Sequence, residues 1–157
     1  MIEQTLAMAE EIELTGSRMN VSADGIGDAA EAGSAELFAT DTDDIDSRPV
    51  VLKLSGLSYE EAPGVVYQVY INLPENTEPD PSGKYYAGTV APFGFENGEG
   101  TVSFDVSGLL NRLIESGEFL GGSVNVEFVP YGLDEEEAEG GLVIPAMSIK
   151  SIEVLRN

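Results

Sequence analysis

The chain has 157 residues, and its 29 acidic and 7 basic residues give it a net charge of −22. A chain of this length suits one domain that buries about two thirds of its unfolded surface. Its negative charge repels phosphates and anionic membranes, so nucleic-acid and membrane binding are not expected. The sequence has no Cys and no His, which excludes disulfides, thiolate metal sites, and the usual general base and copper or zinc ligand.

The acidic residues are spread along the whole chain. Residues 1–50 hold 12 acids and 2 bases, and residues 51–157 hold 17 acids and 5 bases. A high-salt habitat, which screens self-repulsion, and a basic partner both explain such a surface, and composition leaves the two open. The first residues carry acids where a secretory leader carries Lys and Arg, so we expect no signal peptide and, by default, a cytoplasmic protein.

The N-terminal third has weak strand signals. Residues 1–13 predict an N-terminal extension or linker remnant with a helix-like beginning, ahead of a β-sandwich over residues 14–157 in a single domain, 1–157. Alternation in Glu11–Leu14 and Arg18–Val21 predicts a strand or a broken hairpin around Gly16. Beyond them, Asp24–Ser34 reads as a surface loop and Ala35–Thr40 as a short strand.

Two motifs in this third are weak indicators of ligands. Gly25–Ala30 (GIGDAA) matches a loose dinucleotide-binding pattern, but no βαβ unit follows, so we interpret it as a loop. Asp41–Asp46 (DTDDID) alternates carboxylates as a calcium loop does. It lacks the glycine and the closing glutamate of an EF-hand, which favours a solvated acidic turn.

The remaining two thirds alternate apolar and polar residues in short runs bounded by turn signals. These runs predict strands at Val50–Leu57, Val65–Leu73, Tyr85–Ala91, Thr101–Val106, Ser123–Pro130, Leu142–Ile144 and Met147–Leu155. Pro74–Gly83 contains three prolines and must be a crossing. Seven or eight such strands indicate an all-β fold, an antiparallel sandwich or jelly roll.

One short helix is predicted at Ser107–Ser116, where Leu109, Leu110, Leu113 and Ile114 recur at helical spacing. Asp105 or Ser107 is the candidate N-cap, and Gly117 is the stop.

Five runs occur in an order that is familiar from one family. They are Val66–Asn72 (VYQVYIN) with Leu73-Pro74 after it, Tyr86–Thr89 (YAGT), Phe93-Gly94, Phe104–Leu110 (FDVSGLL) and Val126–Pro130 (VEFVP), and an early Leu14–Gly16 (LTG) fits ahead of them. Between Leu14 and Leu155 the sequence resembles the C-terminal domain of tyrosinases and plant-type polyphenol oxidases. It departs at Val66-Tyr67 and Gln68, where plant members carry Lys-Phe and Asp, and the copper-binding domain with its histidines is absent.

The resemblance implies a non-catalytic domain that covers the dicopper site of a tyrosinase-like oxidase, in cis or as a separate chain, and keeps it latent. Copper then belongs to the partner, and this chain binds no metal. One side chain occupies the substrate pocket as a placeholder, and Phe93 and Phe95 in the glycine-rich loop Pro92–Gly100 are the candidates. In the alternative interpretation, one or both rings fold back and fill the end of the sandwich.

The family-motif strand is marked by Tyr67, Val69, Tyr70 and Asn72. Because Tyr67 and Tyr70 lie on opposite faces of a strand, we expect one in the core and the other at the surface or in an interface.

Three other functions compete with this one. The first is a stand-alone acidic β-sandwich that binds a protein, or calcium at Asp41–Asp46 or Asp134–Glu137. The second is a glycosidase-like enzyme, which needs two acids about 5–9.5 Å apart in a cleft. The third is Cu(I) delivery by Met1, Met8 and Met19, but such scattered methionines are more typical of a core.

Overall fold

The computed structural model describes residues 4–15, 18–31, 33–40, 48–59, 66–91, 99–131 and 146–156. Its strands are β1 (Gln4–Leu14), β2 (Met19–Gly25), β3 (Val50–Ser58), β4 (Val66–Ile71), β5 (Tyr86–Val90), β6 (Glu99–Asp105), β7 (Ser123–Tyr131) and β8 (Met147–Arg156). One α-helix, α1 (Ser107–Glu115), and two 3-10 turns, Gly27–Ala30 and Ser34–Phe38, complete the described part. No helix in these ranges has the length and hydropathy to cross a membrane.

All eight strands belong to one antiparallel sheet, in the order β5-β4-β7-β2-β1-β8-β3-β6. The sheet curls into a nearly closed barrel. The antiparallel all-β fold with one short helix is therefore confirmed, whereas the sandwich or jelly roll is not, because the strands in the described ranges form one sheet and not two packed sheets. Alternation shows which side of a strand is buried, but it does not show whether a second sheet or the far wall of the same sheet covers that side.

The N-terminal residues form a central strand instead of the predicted extension. β1 pairs with β2 on one side, where Ala7 lies opposite Gly25, and with β8 along most of its length on the other. The helix-like beginning is thus wrong, because ladder hydrogen bonds on both sides override a weak helical pattern. Both Glu11–Leu14 and Arg18–Val21 contribute to strands, β1 and β2, but the ladder between these strands joins Ala7 to Gly25 and Met8 to Asp24, and the predicted turn at Gly16 lies outside the described residues.

A second correction concerns Ala35–Thr40, which does not form a strand. The chain makes a 3-10 turn over Ser34–Phe38, and the Phe38 ring packs edge-on against Phe119 with 4.9 Å between ring centroids. Burial of this aromatic pair, which no local pattern reveals, fixes the turn against the end of the barrel.

The barrel interior holds the apolar residues that alternation predicted. Fully buried side chains on its inner wall include Val50, Leu52, Leu54, Tyr67, Val69, Val124, Val126, Phe128, Ile152 and Val154. Helix α1 adds Leu109, Leu110 and Leu113 to the same core. The N-cap residue of α1 is Val106 and not the predicted Asp105 or Ser107, although the Asp105 carboxylate accepts the Ser107 N–H at 2.9 Å. Gly117 (φ 75°) ends the helix, where the Gly117 N–H donates to the Ile114 carbonyl and the Glu118 N–H to the Leu113 carbonyl.

Candidate interaction site

The strand directions divide the barrel into two ends. Since every neighbouring pair in the sheet is antiparallel, β1, β3, β5 and β7 run one way and the other four run the opposite way. The four odd strands therefore finish at the same end, at Leu14, Ser58, Val90 and Tyr131. We call this the loop end, and we call the other, where α1 follows β6, the helix end.

The placeholder candidates belong to the connection that leaves the loop end after β5. Phe93 and Phe95 fall in residues 92–98, which lie outside the described residues, as do Asp41–Asp46 and Asp134–Glu137. The placeholder assignment and the calcium alternative thus stay predictions. Within the described ranges, no three acidic side chains are grouped to hold a metal ion.

The family-motif strand, β4, has a structural role. Tyr67 and Val69 point into the barrel and are fully buried. Tyr70 lies on the other face, where we expected exposure or an interface, but it is also fully buried, with Tyr86 at 5.5 Å between ring centroids. Its hydroxyl donates to Gln68 Oε1 at 2.8 Å, and burial, reinforced by Tyr86 and Asp80, raises the pKa of Tyr70.

Asn72, the last of these motif residues, ties the end of β4 to β7. Its N–H donates to the Asn125 carbonyl at 2.8 Å, and its side-chain Oδ1 accepts the Asn125 N–H at 2.9 Å. Asn72 has φ 52°, a left-handed conformation that asparagine tolerates better than most residues. Both the backbone N–H and the side-chain amide oxygen of Asn72 are therefore used to attach the end of β4 to β7.

The barrel has a seam between β5 and β6, the two edges of the sheet. No ladder joins these strands in the described ranges. At the seam, the Phe104 ring packs so closely on Gly88 that a Cβ on this glycine would overlap the ring. Gly88 belongs to the YAGT run and Phe104 to the FDV run, so two runs that carry the family resemblance meet here.

Sequence reasoning missed one ordered surface, the outer side of β2, β7, β4 and β5. We call it the β7 face, formed by the outward residues Asn20, Ser22, Asp24, Val66, Gln68, Tyr70, Tyr86, Thr89, Asn125, Glu127, Val129 and Tyr131. In one row across it, Asn20, Glu127, Tyr70 and Tyr86 stand opposite each other. Only the strand register brings these residues together, so spacing along the chain gave no signal for them.

Side-chain hydrogen bonds hold this face in place. The Glu127 carboxylate is buried at 7% exposure, pairs with the Arg18 guanidinium and accepts Asn20 Nδ2 at 3.2 Å. The hydroxyl of Tyr86 is hydrogen-bonded to that of Thr89. The charge of Glu127, the one buried acid among the described residues, is thereby compensated.

A groove of about 680 Å³ adjoins the β7 face at the helix end, with Asn20, Asn125, Leu73, Pro74 and Leu120 among its walls. The Lys84 ammonium meets the Glu118 carboxylate at 2.6 Å beside the groove. Glu118 raises the pKa of Lys84, and Lys84 lowers that of Glu118.

The opposite side of the barrel has a larger, polar depression of about 910 Å³. Its walls include Glu11, Glu13 and Lys150. Glu11 has φ 53°, a strained value for a residue inside a strand.

Comparisons with known proteins place the chain in a family and show solved structures with a similar fold. A family model described as "Domain of unknown function (DUF7868)" matches residues 2–150, and no curated protein matches the chain. A recombinantly expressed latent aurone synthase (polyphenol oxidase), co-crystallised with hexatungstotellurate(VI), superposes with a TM-score of 0.59 at 16% identity, covering 92% of this chain and 25% of that one. Latent apple tyrosinase gives 0.58 at 18% identity, covering 94% and 27%.

A latent aurone synthase from natural source gives 0.58 at 16% identity, covering 89% and 24%. The chain thus spans about a quarter of the length of these solved chains, and at such low identity the similarity shows the fold alone.

Proposed function

The chain belongs to the family described as Domain of unknown function (DUF7868), and from this premise we propose that it is a non-catalytic domain that covers the dicopper site of a tyrosinase-like phenol oxidase and keeps that enzyme latent. The observation that carries the proposal is the unequal coverage. Nearly the whole chain, 92%, has the fold of 25% of a latent polyphenol oxidase. The fold is thus one part of such an enzyme, and the other three quarters have no counterpart in this chain.

The residues present do not fit a copper centre of their own. In the resembling family copper is held by imidazoles, and this chain has no histidine. The oxidation chemistry therefore belongs to the partner, in cis or as a separate chain. The proposed contribution of this domain is to exclude substrate from the partner's pocket.

Occlusion by such a domain has a simple physical basis. A phenyl ring that enters a phenol pocket gains about 1.5–3 kcal/mol from burial and has no hydroxyl to be oxidised. That gain alone is a weak interaction, but attachment to a docked domain raises the ring's effective concentration to the millimolar range. Phe93 or Phe95 would supply this ring, in the connection between β5 and β6.

The test needs the core of a histidine-rich type-3 copper oxidase whose gene adjoins or continues the one for this chain. Phenol oxidation by the copper-loaded core is measured with increasing amounts of the chain. We expect a saturable loss of activity that proteolysis of the bound domain reverses. An active core that neither binds the chain nor loses activity at excess chain contradicts the proposal.

Phe93→Ala and Phe95→Ala form a matched pair for the placeholder claim. Removal of the ring that occupies the pocket should weaken inhibition about 10- to 150-fold, from the burial energy above, and removal of the other should change it little. Equal inhibition by both variants and the unmodified chain removes the placeholder claim and leaves the covering role intact.

A further inference from the structure

We draw no further inference here: the strongest candidate, the groove of about 680 Å³ at the helix end, has the acids Glu118 and Glu127 on its walls already paired with basic residues of this chain, and nothing in the structure shows what covers its exposed Leu120.

Discussion

Gly88→Ala tests how the barrel is closed. The backbone of Gly88 is not in a left-handed conformation, so alanine is compatible with it, but the new methyl group would overlap the Phe104 ring. Overpacking of this kind costs about 1–3 kcal/mol because the ring must leave its rotamer or the strands must separate. For a chain of this size, each kcal/mol corresponds to about 2–4 °C in Tm.

Urea unfolding at one fixed salt concentration, followed by circular dichroism, measures this loss as a lower midpoint at an unchanged slope. Gly108→Ala is the matched control, since a Cβ at this position in α1 would meet, apart from its chain neighbours and the helix's own backbone, Arg112 Nη1 at 3.9 Å. Alanine there should stabilise by about 0.5–1 kcal/mol.

A double-mutant cycle with Phe104→Ala identifies the cause. Once the ring is removed, Gly88→Ala should have almost no cost, or stabilise slightly by restricting the unfolded chain. The expected coupling energy is therefore about 1–3 kcal/mol. If Gly88→Ala costs the same with and without the Phe104 ring, the ring does not fill the seam and the reasoning is refuted.

Three further predictions concern charge. With the net charge of −22, Tm should rise by several degrees as sodium chloride increases from about 0.1 to 1 M, because the screening length falls from about 10 to 3 Å; a flat profile refutes dominant self-repulsion. Glu118→Gln should reduce stability to its full extent between about pH 4.5 and 10.5; the difference should fade below pH 4.5 as the lowered pKa of Glu118 is passed and above pH 10.5 as the raised pKa of Lys84 is passed, and pH-dependent urea midpoints check both limits. The raised pKa of Tyr70 favours its neutral form in the folded state, so stability should fall as pH rises above about 10. Tyr70→Phe should remove part of that fall. Alkaline unfolding measures the difference, with Tyr131→Phe as the control variant.

Much of the secondary structure followed from alternation and punctuation. The strands from β3 to β8 that lie in the described ranges and helix α1 were predicted to within a few residues, because turn residues bound them and their apolar residues recur at a single period. Val126 and Phe128 show the pattern clearly, since both are fully buried as their spacing predicts. The first part of β1, Gln4–Glu10, was missed because no clear alternation marks it, and pairing with both β2 and β8 stabilises it instead.

The candidate site was less predictable than the fold. The resemblance directed attention to β4. Its residues Tyr67, Val69 and Tyr70 are buried, so this strand contributes to the packing of the fold and offers little binding surface. The Arg18–Glu127 pair joins residues 109 positions apart in the sequence. Such contacts depend on which strands become neighbours, and no local pattern contains that information.

By itself, the sequence determined that this is an acidic, antiparallel β protein with one short helix and no imidazole or thiolate to bind a metal, since composition and periodicity are properties of the chain alone. Only the tertiary structure decided that its strands curl into one sheet whose edges meet where Phe104 lies on Gly88, and that Glu127 comes to pair with Arg18 and Asn20. The reason is that strand order and register are set by long-range burial and ladder hydrogen bonds, which form only when distant segments pack together.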